Sequence, residues 1–217
     1  MPIYTLIIQS LPVLAQGAVL TVKFAVFSMI FGLIGGAVLA LMGISTNRAL
    51  VYIARVYVSL MRGTPLLVQI FVVYYGLPSV GISLDPTPAG VIALSANVAA
   101  YLSESMRGAI LGIHGGQWLA AYSLGLSRSQ TLRYVIAPQA LRIAVPSLSN
   151  SLISLIKDTS LVSVIAVSEL LLATKEVIAT TFRPFPLYLA AAGIYWILSI
   201  ACEHVQRGLE RRLAFPH

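Results

Sequence analysis

Four stretches of the chain, residues 24–47, 63–84, 86–103 and 184–202, contain no Asp, Glu, Lys or Arg. Each approaches the roughly 20 apolar residues a helix needs to cross a bilayer. Only 10% of the 217 residues are charged and 58% are hydrophobic, whereas an average soluble domain is about 25% charged. Fourteen Lys and Arg with seven Asp and Glu could not cover the surface of a 23.2 kDa globule. The chain therefore reads as an all-α integral membrane protein.

A net charge of +7 would also suit a nucleic-acid binder. No basic stripe supports that reading, and Lys and Arg collect in the cytoplasmic loops of membrane proteins. The expected surroundings are membrane lipid, with no nucleic acid. Cys202 is the only cysteine, which excludes a disulfide framework and a Cys-based metal site. Residues 1–22 carry no Lys or Arg ahead of the apolar stretch, which argues against a cleavable signal peptide.

Five spans are expected, at about 10–43, 50–79, 86–112, 132–156 and 184–206, within one transmembrane domain covering residues 1–217. Gly32 and Gly36 in the first have the small-xxx-small spacing that permits close helix contact. The third starts behind Asp85-Pro86-Thr87-Pro88, where proline suits a first helical turn. The fourth holds Pro138, Arg142, Pro146, Ser147, Ser149, Asn150, Ser151 and Ser154. So polar a helix survives in a membrane only beside protein or water. Placing the amino terminus outside puts Arg48, Arg107, Arg128, Arg133, Arg207, Arg211 and Arg212 inside, against Lys175 and Arg183 outside. The asymmetry favours an outer amino terminus and a cytoplasmic carboxyl terminus.

The longest inside connection is residues 113–131. Gly115-Gly116 breaks the preceding helix, and a short amphipathic stretch, Gln117–Leu126, follows. Its alanines and Gly125 offer the low profile that a helix needs to dock in a protein groove. Spacing alone fits equally well a helix lying on lipid headgroups.

Charges at membrane depth are costly and face a cavity or a partner; the candidates are Arg62, Glu104, Arg107, Lys157 and Asp158. Glu104 and Arg107 share a helix face and can pair, or Glu104 can meet a substrate ammonium. Asp158 reads either as a turn residue beside Lys157 or as a carboxylate on a translocation path. For Arg62, a structural pairing inside the bundle is favoured over contact with a substrate carboxylate. His114 and His204 read as boundary residues. Cys202-Glu203-His204 occupy consecutive helical positions and point apart, so no metal site is expected.

Trp118-Leu119-Ala120-Ala121, then Gly125, then Val135-Ile136-Ala137-Pro138 resembles the "EAA" signature of ABC importer permeases. The spacing matches throughout; Leu119 stands for the family's Glu, Val135 for Ile and Ala137 for Leu. Arg62-Gly63-Thr64-Pro65-Leu66-Leu67-Val68-Gln69, Asn97-Val98-Ala99-Ala100-Tyr101-Leu102-Ser103-Glu104-Ser105-Met106-Arg107-Gly108 and Lys157-Asp158-Thr159-Ser160-Leu161 resemble motifs of the polar amino-acid branch. Tyr74-Tyr75-Gly76-Leu77-Pro78 with Gly81–Pro86, and the run from Asn150 to Leu161, look most like L-cystine permeases.

The resemblance implies a MetI-like permease fold in a bacterial inner (plasma) membrane. It implies substrate contacts from the third and fourth spans, at Asn97, Tyr101, Glu104, Ser154 and Asp158. It also implies a coupling helix that engages the ATPase through Trp118, Ala120, Ala121 and Gly125, with Pro138 completing the motif. The implied partners are two cytoplasmic ABC ATPase subunits, a second permease, identical or related, and an extracytoplasmic amino-acid-binding protein. ATP and Mg would sit on the ATPase, with no cofactor on this chain. The chain carries no Gly-x-x-x-x-Gly-Lys-Ser/Thr loop, no His-Glu-x-x-His and no Gly-x-Ser-x-Gly, so no enzyme activity of its own is expected. The alternatives are a basic or neutral polar substrate (arginine, histidine, glutamine) or an ATP-independent secondary transporter, which needs no docking helix.

Overall fold

A computed structural model describes residues 2–213. The first helix, α1 (Ile3–Gly43), is about 60 Å long at 1.5 Å per residue, and begins earlier than the sequence suggested. It packs along α4 (Pro86–Leu111). Gly32 meets Val98, Gly36 meets Leu102 and Gly43 meets Arg107, so the two helices run in the same direction. A Cβ on Gly36 would lie 2.9 Å from the Leu102 Cβ and 3.1 Å from the Ala99 carbonyl oxygen. The close approach read from the Gly32/Gly36 spacing is therefore present, and only glycine fits there. α4 also buries many small residues, Ala89, Gly90, Ala93, Ala99 and Ala100 among them.

Because α1 and α4 cross in parallel, the chain between them must return. The sequence read that return as one span, 50–79. The structure breaks it into α2 (Arg48–Gly63) and α3 (Leu66–Phe71), the latter continued by a π turn (Val72–Gly76) and a 3-10 turn (Leu77–Val80). The two halves meet at 106°. The cause is local: Pro65 has no N–H to give and forces Thr64 out of the helical region, to φ −119° and ψ 147°. A break at membrane depth exposes carbonyls that lipid cannot satisfy, and two amides supply the donors. The Gln69 Nε2 donates to the Met61 carbonyl (2.9 Å), the Thr64 carbonyl (3.1 Å) and the Thr64 hydroxyl (2.8 Å). The Asn97 Nδ2, reaching over from α4, donates to the Met61 carbonyl (3.2 Å) and the Gln69 Oε1 (2.9 Å).

After α4 come α5 (Gly115–Ser123), the single turn α6 (Arg128–Thr131) with a capping box on Ser127 and Gln130, a π turn (Leu132–Ile136) and α7 (Ala137–Asp158). An Arg128 guanidinium nitrogen donates to the Ile44 carbonyl at 2.6 Å, so this segment lies at the end of the bundle where α1 finishes. A 3-10 stretch (Thr159–Ile165) leads into α8 (Leu170–Thr181), then α9 (Pro184–Leu213).

The sequence reading had no helix at 170–181. Its start is capped by the Glu169 carboxylate, which accepts the Leu171 N–H (2.9 Å) and the Leu172 N–H (2.8 Å). Its first turn lies against Gly17 of α1, where a Cβ would stand 2.9 Å from the Leu170 Cα. α8 thus covers the amino-terminal part of α1.

By length and composition alone, Ile3–Gly43 and Pro184–Gly208 can cross a membrane, as can the bent α2–α3 pair taken as one span. The helices α4 and α7 are long enough but carry much polar surface, and that surface is where the candidate site lies.

Candidate translocation cavity and docking helix

Two polar stripes face one another across a cavity of about 810 Å³. On α4 the stripe is Asn97, Tyr101 and Glu104; on α7 it is Ser147, Ser151, Ser154 and Asp158. Spacings of three and four residues place each set on one helix face. The broken end of α2 closes a third wall with Arg62 and Thr64. A hydrogen bond of 2.7 Å between the Ser105 and Ser147 hydroxyls ties the two stripes together. All five residues read from the sequence as substrate contacts therefore line the same cavity. Ser147, Asn150 and Ser151, noted in the sequence only as the polarity of the fourth span, and Ser105 and Thr64, not singled out, join them.

The five are not chemically equivalent. Asn97 is 9% exposed and spends its amide donors on the α2–α3 break. Glu104 is gripped side-on by Arg107, with Nε donating to Oε1 at 2.8 Å and a terminal nitrogen donating to Oε2 at 2.7 Å. Such a bidentate pair is strong and directional. The pairing of Glu104 with Arg107 that their spacing allowed is thus formed. Asp158 makes no hydrogen bond among the described residues, although it lines the cavity wall. Ser154 is exposed to the cavity.

Arg62 has a structural partner inside the bundle, an aromatic ring rather than a carboxylate. Among the described residues it forms no salt bridge; its guanidinium carbon lies 5.3 Å from the centre of the Tyr101 ring. Within that distance the ring face attracts the cation without consuming its N–H donors in an ion pair. The spacing rule used for charge pairs cannot find such a contact, because Arg62 and Tyr101 come from different helices.

At the end of the bundle marked by Arg128, α5 is two turns and a half long. The sequence placed it at Gln117–Leu126; it starts earlier because His114 caps it, its ring Nδ1 accepting the Gly116 N–H at 3.1 Å. It stops at a Schellman motif: the Leu126 N–H reaches the Ala121 carbonyl (3.1 Å), the Gly125 N–H reaches the Tyr122 carbonyl (2.9 Å), and Gly125 has φ +79°. Trp118 and Ala121 turn inward, Ala121 to 3% exposure. Leu119, Ala120, Ser123 and Leu124 form the outward face, with Leu119 69% and Leu124 81% exposed. Pro138, also exposed, opens α7 next to the π turn. Leu119 on α5 and Leu124 at its C-cap leave apolar side chains exposed at this end of the molecule.

An all-helical bundle with a polar half-cavity between its helices and a separate apolar helix at one end is a solute-conducting membrane subunit. Its sequence is of one kind with such subunits. The chain belongs to the family of binding-protein-dependent transport system inner membrane components, matched over residues 32–215. It is 46% identical over 203 residues to the L-cystine transport system permease protein TcyB of Bacillus subtilis (strain 168), covering 93% of this chain and 87% of that one. It is 38% identical over 206 residues to the glutamine transport system permease protein GlnP of Escherichia coli (strain K12), covering 94% of each. Among solved structures, a crystal structure of an amino acid ABC transporter with histidines superposes with a TM-score of 0.89 at 34% identity, covering 94% of this chain and 96% of the other. The resemblance to amino-acid ABC permeases, read above from four motifs, thus holds over nearly the whole chain.

Proposed function

We propose that the chain is the membrane-spanning subunit of an ATP-driven importer for a polar amino acid, and that the amino acid is L-cystine. The observation that supports this best is the charge layout of the cavity. Glu104 is neutralised by Arg107, which leaves Asp158 as a carboxylate without a hydrogen-bond donor and Arg62 as a guanidinium without a carboxylate. A carboxylate with no hydrogen-bond donor, beside Lys157 in the chain, and a guanidinium with no salt bridge complement the α-ammonium and α-carboxylate of an amino acid. Asn97, Tyr101, Glu104 and Ser154 complete the wall.

The cavity is a half-site between α4, α7 and the end of α2. Two permease subunits facing each other would present two such half-sites, and cystine carries two zwitterionic ends. The 46% identity to an L-cystine permease points the same way. In this mechanism two ATPase subunits close on ATP, with Mg, and move α5 through its outward face at Leu119, Ala120 and Leu124. Trp118 and Ala121 pass that movement inward to the core, and a binding protein delivers substrate at the opposite end. In this reading the α5 end is cytoplasmic and the Ile3 end faces outward, the orientation that the arginine distribution favours.

The experiment is ATPase activity of the purified permease–ATPase complex in nanodiscs, with binding protein loaded in turn with cystine, histidine, arginine and glutamine. Stimulation by the cystine-loaded protein alone is expected. Stimulation by another ligand makes this an importer for a basic or neutral amino acid. Uptake that follows an ion gradient, with no ATPase subunit co-purifying, overturns the importer reading in favour of a secondary transporter.

A further inference from the structure

At the α5 end of the bundle, the elbow between α1 and α2 holds a cleft of about 310 Å³ whose walls are Ser45, Thr46, Arg48, Tyr52 and Arg55, closed behind by Val51. Arg48, Tyr52 and Arg55 are four and three residues apart, so they share one face of α2. Among the described residues neither guanidinium has a hydrogen-bond or salt-bridge partner, and no acidic side chain lines the cleft. Arg55 also forms the wall of a second cleft of about 300 Å³, whose one carboxylate, Glu104, is already taken by Arg107. Every polar side chain facing the first cleft can donate a hydrogen bond. That is a receptor for an anion.

The surroundings say where the anion comes from. On the neighbouring face of α2, about a quarter turn round the helix from the arginines at roughly 100° per residue, Ile53, Val56 and Leu60 are exposed large apolar side chains, as are Val38 and Leu41 of α1. A cluster of donors at the membrane edge, flanked by apolar helix surface, suits a phospholipid: headgroup in the cleft, acyl chains along the flank. Guanidinium forks match phosphate oxygens two at a time, and basic pockets between membrane helices on the cytoplasmic side take anionic headgroups.

We infer that the α1–α2 elbow binds the phosphodiester headgroup of an anionic phospholipid of the inner leaflet through Arg48 and Arg55. The leaflet rests on the orientation given under the proposed function; the site itself does not. The bound lipid ties the start of α2 to α1, and α2 carries Arg62 of the cavity at its other end.

The test is native mass spectrometry of the permease–ATPase complex after partial delipidation from equal phosphatidylcholine and phosphatidylglycerol. No substrate or ATP is present, so the result does not depend on the transport reading. The wild type is expected to keep phosphatidylglycerol preferentially, and Arg48→Gln/Arg55→Gln to lose about tenfold or more of it. Arg211→Gln, a change in an arginine away from the cleft, is expected to keep it. Arg48→Lys/Arg55→Lys, which preserves the charge, is expected to fall between, showing that the loss is not misfolding. Retention by the Gln pair equal to wild type, or an equal loss with Arg211→Gln, overturns the site. So does displacement of the lipid by millimolar glycerol 3-phosphate, which assigns the cleft to a soluble phosphate.

Discussion

The Tyr195 hydroxyl donates a 2.6 Å hydrogen bond to the carboxylate of Glu169, a residue with no exposed surface. The bond joins the start of α8 to the middle of α9. Glu169 meanwhile caps α8 through two backbone N–H groups, and Thr21 accepts the Leu170 N–H at 3.2 Å. Three segments, α1, the start of α8 and α9, therefore meet at one buried polar knot.

Tyr195→Phe removes the hydroxyl and leaves the ring's packing in place. A buried acceptor deprived of a strong donor costs about 1–3 kcal/mol, so the purified complex should unfold at a lower temperature. Glu169→Ala should be worse, because it also uncaps α8. Thermal unfolding followed by size-exclusion chromatography measures both; an unchanged midpoint in Glu169→Ala would show that water replaces the carboxylate.

The α2–α3 break makes a separate test. Asn97→Leu and Gln69→Leu each remove donors from carbonyls at membrane depth, and each should cost about 1–3 kcal/mol. The two amides also bond each other at 2.9 Å, so the double variant should lose less than the sum of the singles. Strict additivity in a thermal-unfolding cycle would mean that the two amides act independently. Because Asn97 serves the break, its replacement should also weaken uptake through misplacement of Arg62.

The cavity chemistry separates Asp158 from Glu104. Asp158→Asn removes a carboxylate without a donor, and Arg62→Gln removes a cation without a carboxylate. Each is expected to cut cystine uptake into proteoliposomes by about tenfold or more, the loss of one charge-assisted contact of about 1.5–3 kcal/mol. Glu104→Gln instead releases Arg107, so its effect should be largely restored by Glu104→Gln combined with Arg107→Gln. Normal cystine uptake in Asp158→Asn and Glu104→Gln alike would overturn the cavity as the binding site.

Much of this layout can be read from the chain before any coordinate. The uncharged runs foretell most of the helices, and the Gly32/Gly36 spacing foretells a close helix contact without naming the partner. That residues of the third and fourth spans share one cavity comes from the family resemblance, not from periodicity. Three features escape such reading. The break at Thr64-Pro65 is signalled by Pro65 itself, but the long apolar run around it reads as one span, and the amide of Gln69, four residues on, hints that the freed carbonyls need donors. Helix α8 is masked because Glu169 is an uncommon cap; the usual Ser, Thr, Asp or Asn signals do not fall at that position. The contact of Arg62 with Tyr101 joins distant segments, and periodicity says nothing about which helices become neighbours.

Gly125 offers the sharpest test of the docking helix, because its two possible roles call for different substitutions. Its φ of +79° favours glycine, and no atom lies within 4 Å of where a Cβ would stand. The cost of Gly125→Ala within the chain is therefore backbone strain, about 1–2 kcal/mol, while Gly125→Asn costs less because asparagine tolerates this conformation. The space around that Cβ is open, so an added loss in Gly125→Trp that leaves the permease's thermal stability unchanged must come from a surface outside the chain. If α5 seats in an ATPase groove, Asn should retain most of the substrate-stimulated ATPase activity, Ala should lose part and Trp should abolish it. Membrane insertion and thermal stability of the permease should remain close to those of the Asn variant. Equal activity in the Trp and Ala variants would show that Gly125 serves the backbone turn alone and that the partner does not press on this end of α5.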